Sequence, residues 1–226
     1  FKSRHGWQPS RRLWVNPETD HPRAAASVLS RRLGHLPVEV MYVPKGPILD
    51  YTDSALIDRV LDGLEKMARR SRALFIKIDP DVEPGAPEGK ATLTALRRRG
   101  WRRSDEEIQF RNTVLLDLRP SLDELLMGMK SKWRYNVRLA KRKGVTIRPG
   151  TSDDLPLLYE MYQETAERGD FVIRPKAYYH DAWGAFIAQD LAQPFIAEVE
   201  GQPVAMVIIY RFGERAIYMY GASLLH

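Results

Sequence analysis

The chain has 226 residues, of which 44% are hydrophobic, and it carries a formal net charge of +6. No apolar run approaches the roughly eighteen residues of a membrane-spanning helix, so we expect a globular, cytoplasmic protein without a transmembrane segment. The chain has no cysteine, which excludes disulfides and thiolate metal sites, and its five histidines show no ligand spacing. We therefore expect no bound metal.

The first half of the sequence predicts one α/β unit. Apolar runs predict strands, and apolar residues at helical spacing predict the helix between two of them. In chain order, the predicted elements are strands at 11–15, 38–44 and 73–80, a helix that begins after Thr52 or Asp53 between the last two, and a short helix that ends at Gly100 after a Pro/Gly-rich loop at 81–89. We assign this unit to residues 1–110.

The second half repeats the same alternation from about residue 111. The predicted elements are a strand at 112–118, a helix capped by Ser121, a basic helix that ends at Gly144, a strand at 145–149, helices that begin near 152 and 176, and three strands separated by turns at Gly201 and Gly213. Helices followed by a β-meander are typical of acyltransferases of the GNAT type. We therefore predict an α/β (α+β) fold with units at 1–110 and 111–226, of which the second has the pattern of a GNAT-like domain. We expect the second to be incomplete at its C-terminus, because the chain stops directly after a strand.

Positive charge is concentrated in two segments, "RRRGWRR" at 97–103 and "KSKWRYNVRLAKRKG" at 130–144. The second segment holds seven basic residues and no acid, although it has the pattern of a helix. Like charges four residues apart destabilise a helix by about 0.2–0.5 kcal/mol per pair. A polyanionic ligand would offset that repulsion, whereas the alternative is a basic face that is only solvated.

The basic helix predicts an inner and an outer face. Trp133, Val137 and Ala140 can pack inward, which would leave Arg134 and Arg138 on a neighbouring face. A guanidinium offers two parallel N–H groups to phosphate oxygens. Arg134 and Arg138 are therefore candidates for binding an anionic substrate, and the alternative is that they belong to a solvated face.

Two turns and four tyrosines are further candidates. In "YVPKGPILD", Lys45 lies in a stiff turn at a strand end, where it could reach an anion or serve only the turn. Asp79 follows a hydrophobic strand, where it could accept a proton from an attacking amine or only cap the turn. The tyrosines could line a peptide or sugar groove or belong to the core: Tyr178, Tyr179, Tyr218 and Tyr220.

The ordered set of motifs resembles the Fem-type peptidoglycan bridge aminoacyltransferases. The matching stretches are, in order, "HGWQPSRRLWV", "YVPKGPILD", "FIKIDP", the "GW" at 100–101, "NTVLLDL", "MKSKWRYNVRLAKRKGV", "TAERGDF" and "YMYGAS". The resemblance implies transfer of an amino acid from aminoacyl-tRNA, as co-substrate, to an amine on the stem peptide of a peptidoglycan precursor. It implies no further cofactor. It also implies tandem GNAT-like domains at 1–110 and 111–226, of which the first is completed by the protein's C-terminus and the second by strands and a helix that follow "YGAS".

The resemblance also implies roles for charged residues. The precursor, UDP-MurNAc-pentapeptide or lipid II, carries a diphosphate that Lys2 and Arg134 would bind. A lipid-linked precursor implies peripheral contact with the inner membrane face. Contacts with the tRNA backbone would fall to five basic residues: Arg98, Arg99, Arg102, Lys141 and Arg142.

Two other functions fit parts of the sequence. An acetyl-CoA-dependent N-acetyltransferase would share the fold, but we find no Arg/Gln-x-x-Gly-x-Gly/Ala turn to hold a pyrophosphate at a helix N-terminus. A non-catalytic nucleic-acid-binding module would use the basic helix, but it would not need so large an α/β scaffold. No Ser/His/Asp constellation is evident, which agrees with direct aminolysis of an ester that is already activated.

Overall fold

The computed structural model describes residues 1–106, 108–110 and 112–224, and the chain forms two compact units. The N-terminal unit is Lys2–Val114, and the C-terminal unit combines Phe1 with the chain from Leu115 onward. Each unit contains one β-sheet and several helices, so the predicted α/β class is confirmed. The assignment of each unit to the GNAT type stays a prediction.

The N-terminal unit is a five-stranded sheet with two helices. Its elements are a short 3-10 helix (Lys2–His5), β1 (Gln8–Val15), β2 (Pro22–Arg32), β3 (Glu39–Val43), β4 (Ile48–Leu49), α1 (Ser54–Arg70), β5 (Ala73–Ile78) and α2 (Pro87–Arg98). The sheet order is β1-β2-β3-β5, with β4 paired to β2. Only β3 and β5 are parallel among these pairs, and α1 supplies the crossover that a parallel pair needs. The carboxyl ends of β3 and β5 therefore lie side by side.

Helix α1 begins where the sequence predicts it. The side chain of Asp53 accepts a hydrogen bond from the backbone N–H of Leu56 at 2.9 Å, which satisfies one of the free donors of the first turn. Val60 and Leu64 are fully buried, in the same apolar cluster as Val28 of β2. This buried face packs α1 onto the sheet and fixes the position of the strands that follow.

β2 is not among the predicted strands, although it has eleven residues and lies in the middle of the sheet. Its alanine-rich sequence has one β-branched residue, Val28, and no aromatic residue, so it carries little of the composition that favours strands. Ala24, Ala26 and Val28 are nevertheless buried at alternate positions, which is the period of a strand. Small side chains at these positions let α1 approach the sheet closely.

The prediction of a strand at 112–118 is wrong, because this segment has no regular secondary structure. Val114 and Leu115 are 92% and 90% exposed. No strand among the described residues pairs with the segment. β-Forming side chains make a strand only where a neighbouring strand can accept and donate the backbone hydrogen bonds.

The C-terminal unit is a four-stranded antiparallel sheet with four helices. Its elements are α3 (Leu122–Gly128), α4 (Ser131–Arg142), β6 (Thr146–Pro149), a 3-10 turn (Ser152–Asp154), α5 (Leu155–Arg168), α6 (Lys176–Ile187), β7 (Ala192–Val199), β8 (Gln202–Phe212) and β9 (Arg215–Ser223). The strand order is β6-β7-β8-β9. The predicted turns are confirmed, since Gly201 and Gly213 have positive φ angles of 77° and 56° between paired strands.

Aromatic rings dominate the core of the C-terminal unit. Trp183 of α6 is fully buried, and the ring centroid of Tyr179 lies 5.0 Å from that of the indole. Leu158 and Met161 of α5 are also fully buried. Phe1 packs edge-on against Tyr178, at 5.4 Å between ring centroids, which explains why the first residue belongs to this unit.

Local signals define α3 and α4. Ser121 and Glu124 form a capping box, in which the Glu124 carboxylate accepts from the Ser121 N–H at 2.8 Å. α4 is followed by Gly144 with φ +77°, so the predicted C′ glycine is confirmed.

Among the described residues, no helix has both the length and the apolar character to traverse a bilayer.

Candidate functional site

Two of the predicted site residues, Lys45 and Asp79, lie at the end of the sheet where the parallel strands β3 and β5 end. Asp79 directly follows β5, and its backbone N–H donates to the carbonyl oxygen of Gly46 at 3.1 Å. Lys45 has a φ of 47°, which is unusual for a residue with a side chain, and its Nζ lies 3.5 Å from Oδ1 of Asp81. Ligands of open α/β sheets bind beyond the carboxyl ends of parallel strands. This end of the sheet is therefore the candidate site of the N-terminal unit.

The carboxylate of Asp79 has unused acceptor capacity. Its Oδ2 is shielded from solvent and accepts no hydrogen bond from the described residues. Burial raises the pKa of the neighbouring Tyr42, a hydrogen bond from the Gln109 side chain at 3.2 Å opposes this shift, and the negative charge of Asp79 adds to it. A carboxylate with open lone pairs can accept a proton from a reacting group.

Sequence reasoning missed three residues around this site: Tyr42, Tyr51 and Gln109. The Tyr51 hydroxyl donates to the carbonyl oxygen of Pro47, and burial raises the pKa of Tyr51, with a further contribution from the charge of Asp81. Tyr42 could have been found, because parallel pairing of β3 with β5 places it opposite Lys77, two residues before Asp79. Gln109 gave no signal, since it lies in an irregular segment with no periodic pattern.

α4 carries the predicted basic residues, but its orientation differs from the prediction. Trp133 and Val137 are 62% and 50% exposed, so the expectation that they pack inward is wrong. Arg134 is instead partly buried, and its Nη1 donates to the backbone oxygens of Met127, at 3.0 Å, and of Met129. These carbonyls lie at the C-terminal end of α3, where unpaired oxygens attract a cation. Arg134 therefore links α3 to α4.

The other cations of α4 are exposed and unpaired. Arg138, Lys141 and Arg142 form no ion pair with any acid in the part of the chain that the structure describes. Arg142 only stacks over the ring of Tyr135, at 5.9 Å from its centroid. These side chains are available to an anionic ligand.

The segment 97–103 is mostly not a free basic patch. Arg99 donates to the Glu65 carboxylate at 2.8 and 3.0 Å, and lies 3.6 Å from Asp58. Arg98 is also hydrogen-bonded to Asp58. Acids of α1 neutralise these arginines, which gives them a structural role in the N-terminal unit, and their contact with tRNA stays a prediction. Arg102 remains exposed, without an ion pair to the described residues.

We expect Glu65→Gln to destabilise the N-terminal unit by about 1–3 kcal/mol at neutral pH, because it weakens charge-assisted hydrogen bonds to a partly buried arginine. The hydrogen bond from Arg99 lowers the pKa of Glu65 most, and Trp101 adds to this effect. A carboxyl whose pKa is lower in the folded state stabilises the fold above its unfolded pKa of about 4.3, and this stabilisation disappears as the pH falls through the folded pKa. Urea unfolding between neutral and acidic pH should therefore show a smaller pH dependence in the variant.

Glu83→Gln is the matched control, since this exposed side chain has no hydrogen bond or ion pair with the described residues. It should leave stability within about 0.5 kcal/mol of the parent. Equal effects of the two substitutions would contradict the structural role of Arg99.

The four predicted tyrosines divide into two kinds. Tyr179 is 6% exposed and packs in the core, where its hydroxyl accepts from the backbone N–H of Arg174 at 3.2 Å. Tyr220 is also packed against this core, and burial raises its pKa to about 12. Tyr218 is 66% exposed on β9, and Tyr178 is partly buried beneath the Arg174 guanidinium. Only Tyr178 and Tyr218 are therefore placed to meet a ligand.

A surface pocket of about 450 Å³ lies between α5 and the loop that follows it. Tyr159 and Arg174 line it, together with Glu167 and Phe171 of the "TAERGDF" motif. The pocket combines aromatic walls with charges of both signs, which suits a peptide with polar ends.

Lys2, the remaining predicted site residue, lies in the N-terminal unit, in the first 3-10 helix (Lys2–His5).

Comparison with known proteins shows the family to which the chain is similar. The FemAB family matches residues 1–205. A lipid II:glycine glycyltransferase of Staphylococcus saprophyticus is 29% identical over 210 residues, which are 90% of this chain and 50% of that protein. A protein with the same description from Staphylococcus aureus is 28% identical over 202 residues, 86% of this chain and 47% of the relative. The chain thus spans about half the length of the curated relatives it matches.

Solved structures agree with this fold. The crystal structure of FemX superposes with a TM-score of 0.82 at 20% identity, over 98% of this chain and 72% of FemX. A conserved protein of unknown function from Bacteroides thetaiotaomicron gives a TM-score of 0.54 at 13% identity, over 97% of this chain and 68% of that protein. These likenesses show a shared fold, and the match across residues 1–205 shows that the chain belongs to the FemAB family.

Proposed function

We propose that this protein is a cytoplasmic transferase that moves an amino acid from aminoacyl-tRNA to an amine on the stem peptide of a peptidoglycan precursor. Such transfer builds the interpeptide bridge of the cell wall. The observation that carries the proposal is the similarity of about nine-tenths of the chain to lipid II:glycine glycyltransferases. Aminoacyl-tRNA is a co-substrate, so the proposal requires no separate cofactor.

The chemistry is aminolysis of an ester. The stem amine attacks the carbonyl carbon of the aminoacyl ester, a C–N bond forms, and the C–O bond to the tRNA ribose breaks. The amine loses one proton and the ribose oxygen gains one, so the reaction needs no oxidant or reductant. The protein must hold the two substrates together and accept the proton of the amine.

Asp79 is the proposed proton acceptor. Its backbone is fixed to Gly46 at 3.1 Å, and one of its carboxyl oxygens accepts no hydrogen bond from the described residues. Lys45 lies in the same turn, where its ammonium group can attract an anionic part of a substrate.

The diphosphate of the precursor is assigned to Arg134 and Arg138 of α4, which form no ion pair with an acid among the described residues. In Arg134, the two carbonyl contacts of Nη1 orient the guanidinium and leave Nε and Nη2 for a phosphate. Arg138 lies one turn further along α4 and is exposed. Lys2, in the N-terminal unit, stays a candidate for a phosphate of the precursor by resemblance to the family.

Contacts with tRNA are assigned to Arg102, Lys141 and Arg142, which are exposed and make no ion pair with the described residues. Arg98 and Arg99 are left out of this set because acids of α1 neutralise them. Tyr178 and Tyr218 are the tyrosines assigned to the peptide part of the acceptor.

The direct test supplies full-length protein with charged tRNAs, one amino acid at a time, and either lipid II or UDP-MurNAc-pentapeptide as acceptor. We expect mass spectrometry to show one acceptor extended by the amino acid of one charged tRNA, and no product from the free amino acid. Acetylation of the acceptor from acetyl-CoA, without transfer from any charged tRNA, would overturn the proposal.

Arg138→Ala tests the diphosphate site. We expect acceptor affinity to fall by about ten- to a hundredfold, since a charge-assisted hydrogen bond contributes roughly 1.5–3 kcal/mol. Titration with UDP-MurNAc-pentapeptide measures the change. Arg97→Ala, which removes an exposed arginine of α2, should leave the affinity unchanged. If both variants bind the precursor like the parent, Arg138 does not contact the diphosphate.

A further inference from the structure

α4 is a helix without a buried face. None of its residues is buried, although a helix of a globular protein normally packs one apolar stripe against a core. Trp133 and Tyr135 are 62% and 57% exposed. The stability of α4 therefore comes largely from its ends and from the contacts of Arg134, and its large apolar side chains Trp133, Tyr135 and Val137 are exposed.

These apolar side chains have a regular arrangement around the helix. At about 100° per residue, Trp133, Val137 and Ala140 fall within an arc of roughly 60°, which we call the apolar stripe. Four lysines border the stripe, two on each side: Lys130 with Lys141, and Lys132 with Lys143. Lysines in this position can extend along an apolar surface while their ammonium groups stay at its polar edge.

The charge around the stripe is of one sign. Residues 130–143 include seven basic side chains and no acid. None of the seven forms an ion pair with an acid among residues 1–106, 108–110 and 112–224. The arginines at 98 and 99 differ in this respect, because acids of α1 neutralise them. Apart from Arg134, which binds carbonyl oxygens at the end of α3, these cations are available to an outside partner.

We propose that α4 docks onto an anionic lipid bilayer, with the apolar stripe in the headgroup region and Lys130, Lys132 and Lys143 on lipid phosphates. An exposed tryptophan flanked by lysines is suited to this interface, because the indole enters the apolar boundary while the ammonium groups meet anionic headgroups. This inference rests on the proposed function, since a lipid-linked acceptor would lie at the same surface.

A bilayer fits the apolar stripe of α4 better than RNA does. RNA would account for the basic side chains and for stacking on Trp133, but it offers no apolar phase for Val137. The same unit exposes further aliphatic side chains just before α4: Leu118 is 61%, Leu122 is 84% and Met127 is 63% exposed. Aliphatic side chains next to unpaired cations match a lipid surface in both polarity and charge.

The test uses full-length protein and vesicles that contain no precursor. We expect co-sedimentation with vesicles of equal parts phosphatidylglycerol and phosphatidylcholine, little with phosphatidylcholine alone, and weaker binding as salt rises. Trp133→Ala and the double variant Lys132→Gln/Lys143→Gln should each reduce the partition coefficient roughly tenfold or more. The matched control, Lys90→Gln/Arg97→Gln, removes two exposed cations from α2 and should bind like the parent.

Three results would overturn the docking proposal. The parent protein could fail to bind anionic vesicles, or the α4 and α2 variants could lose the same fraction of vesicle binding. The α4 variants could also lose tRNA binding while their vesicle binding stays intact. Circular dichroism of each variant confirms that it is folded. Transfer to soluble UDP-MurNAc-pentapeptide without vesicle binding would contradict the docking alone. Vesicle binding that depends on α4, without transfer from any charged tRNA, would support the docking and contradict the proposed function.

Discussion

Trp183→Ala should lower the free energy of unfolding of the C-terminal unit by about 3–5 kcal/mol. The indole is fully buried, and the ring centroids of Tyr179 and Tyr220 lie 5.0 and 5.4 Å from it. Removing the ring leaves a cavity between α6 and its neighbours that rigid aromatic side chains cannot fill. Urea unfolding followed by circular dichroism measures the loss.

Trp133→Ala is the matched control, because it removes the same side chain from another helix of the same unit. Since Trp133 is 62% exposed, its removal should change stability by no more than about 0.5 kcal/mol. A loss comparable to that of Trp183→Ala would show that the apolar stripe of α4 is covered within the protein. That result would also remove the basis for docking to a bilayer.

The sequence does not distinguish these two tryptophans. Trp133 has Val137 four residues later and Trp183 has Ile187, so each belongs to an apolar stripe with helical spacing. The difference arises from tertiary contacts, because α6 packs on α5 and the sheet whereas α4 has no buried residue. The density of lysine and arginine around Trp133 was the one local sign that its stripe is not core.

Strands were predicted well where the sequence itself carries the pattern. β3 and β5 were found from their β-branched residues, and the hairpins of the C-terminal unit from their glycines. β2 was missed because alanine gives little β signal, and its stability comes from strands on both sides. Residues 112–118 show the converse case, in which a strongly β-forming sequence has no strand beside it.

The candidate site was predictable in part. Lys45 and Asp79 were identified separately, and the parallel pairing of β3 with β5 brings them to the same end of the sheet. The tRNA-binding role of Arg98 and Arg99 could not be judged from their own segment, since their partners are on α1. Asp58, Asp62 and Glu65 are spaced as one face of that helix, which was a usable sign of complementary charge.

Asp79→Asn should lower kcat for aminoacyl transfer by about a hundred- to ten-thousandfold, the range lost when a general base is removed. Asparagine has nearly the same shape as aspartate but cannot take a proton from the attacking amine. KM for the acceptor should change little, because the lost interaction belongs to the transition state. Single-turnover assays separate the chemical step from binding. They use the charged tRNA and the acceptor that give product in the direct test of the proposed function.

Asp81→Asn is the control for charge at the same site, two residues further along the loop. Its carboxylate is 64% exposed and forms only a surface ion pair with Lys45 at 3.5 Å, so its removal should change kcat by a fewfold at most and stability hardly at all. If Asp79→Asn loses less than tenfold while remaining folded, or if the two variants lose the same, Asp79 is not the base. The amine would then lose its proton to water or to the tRNA itself, and the role of Asp79 would be to hold the turn at Gly46 through its backbone N–H.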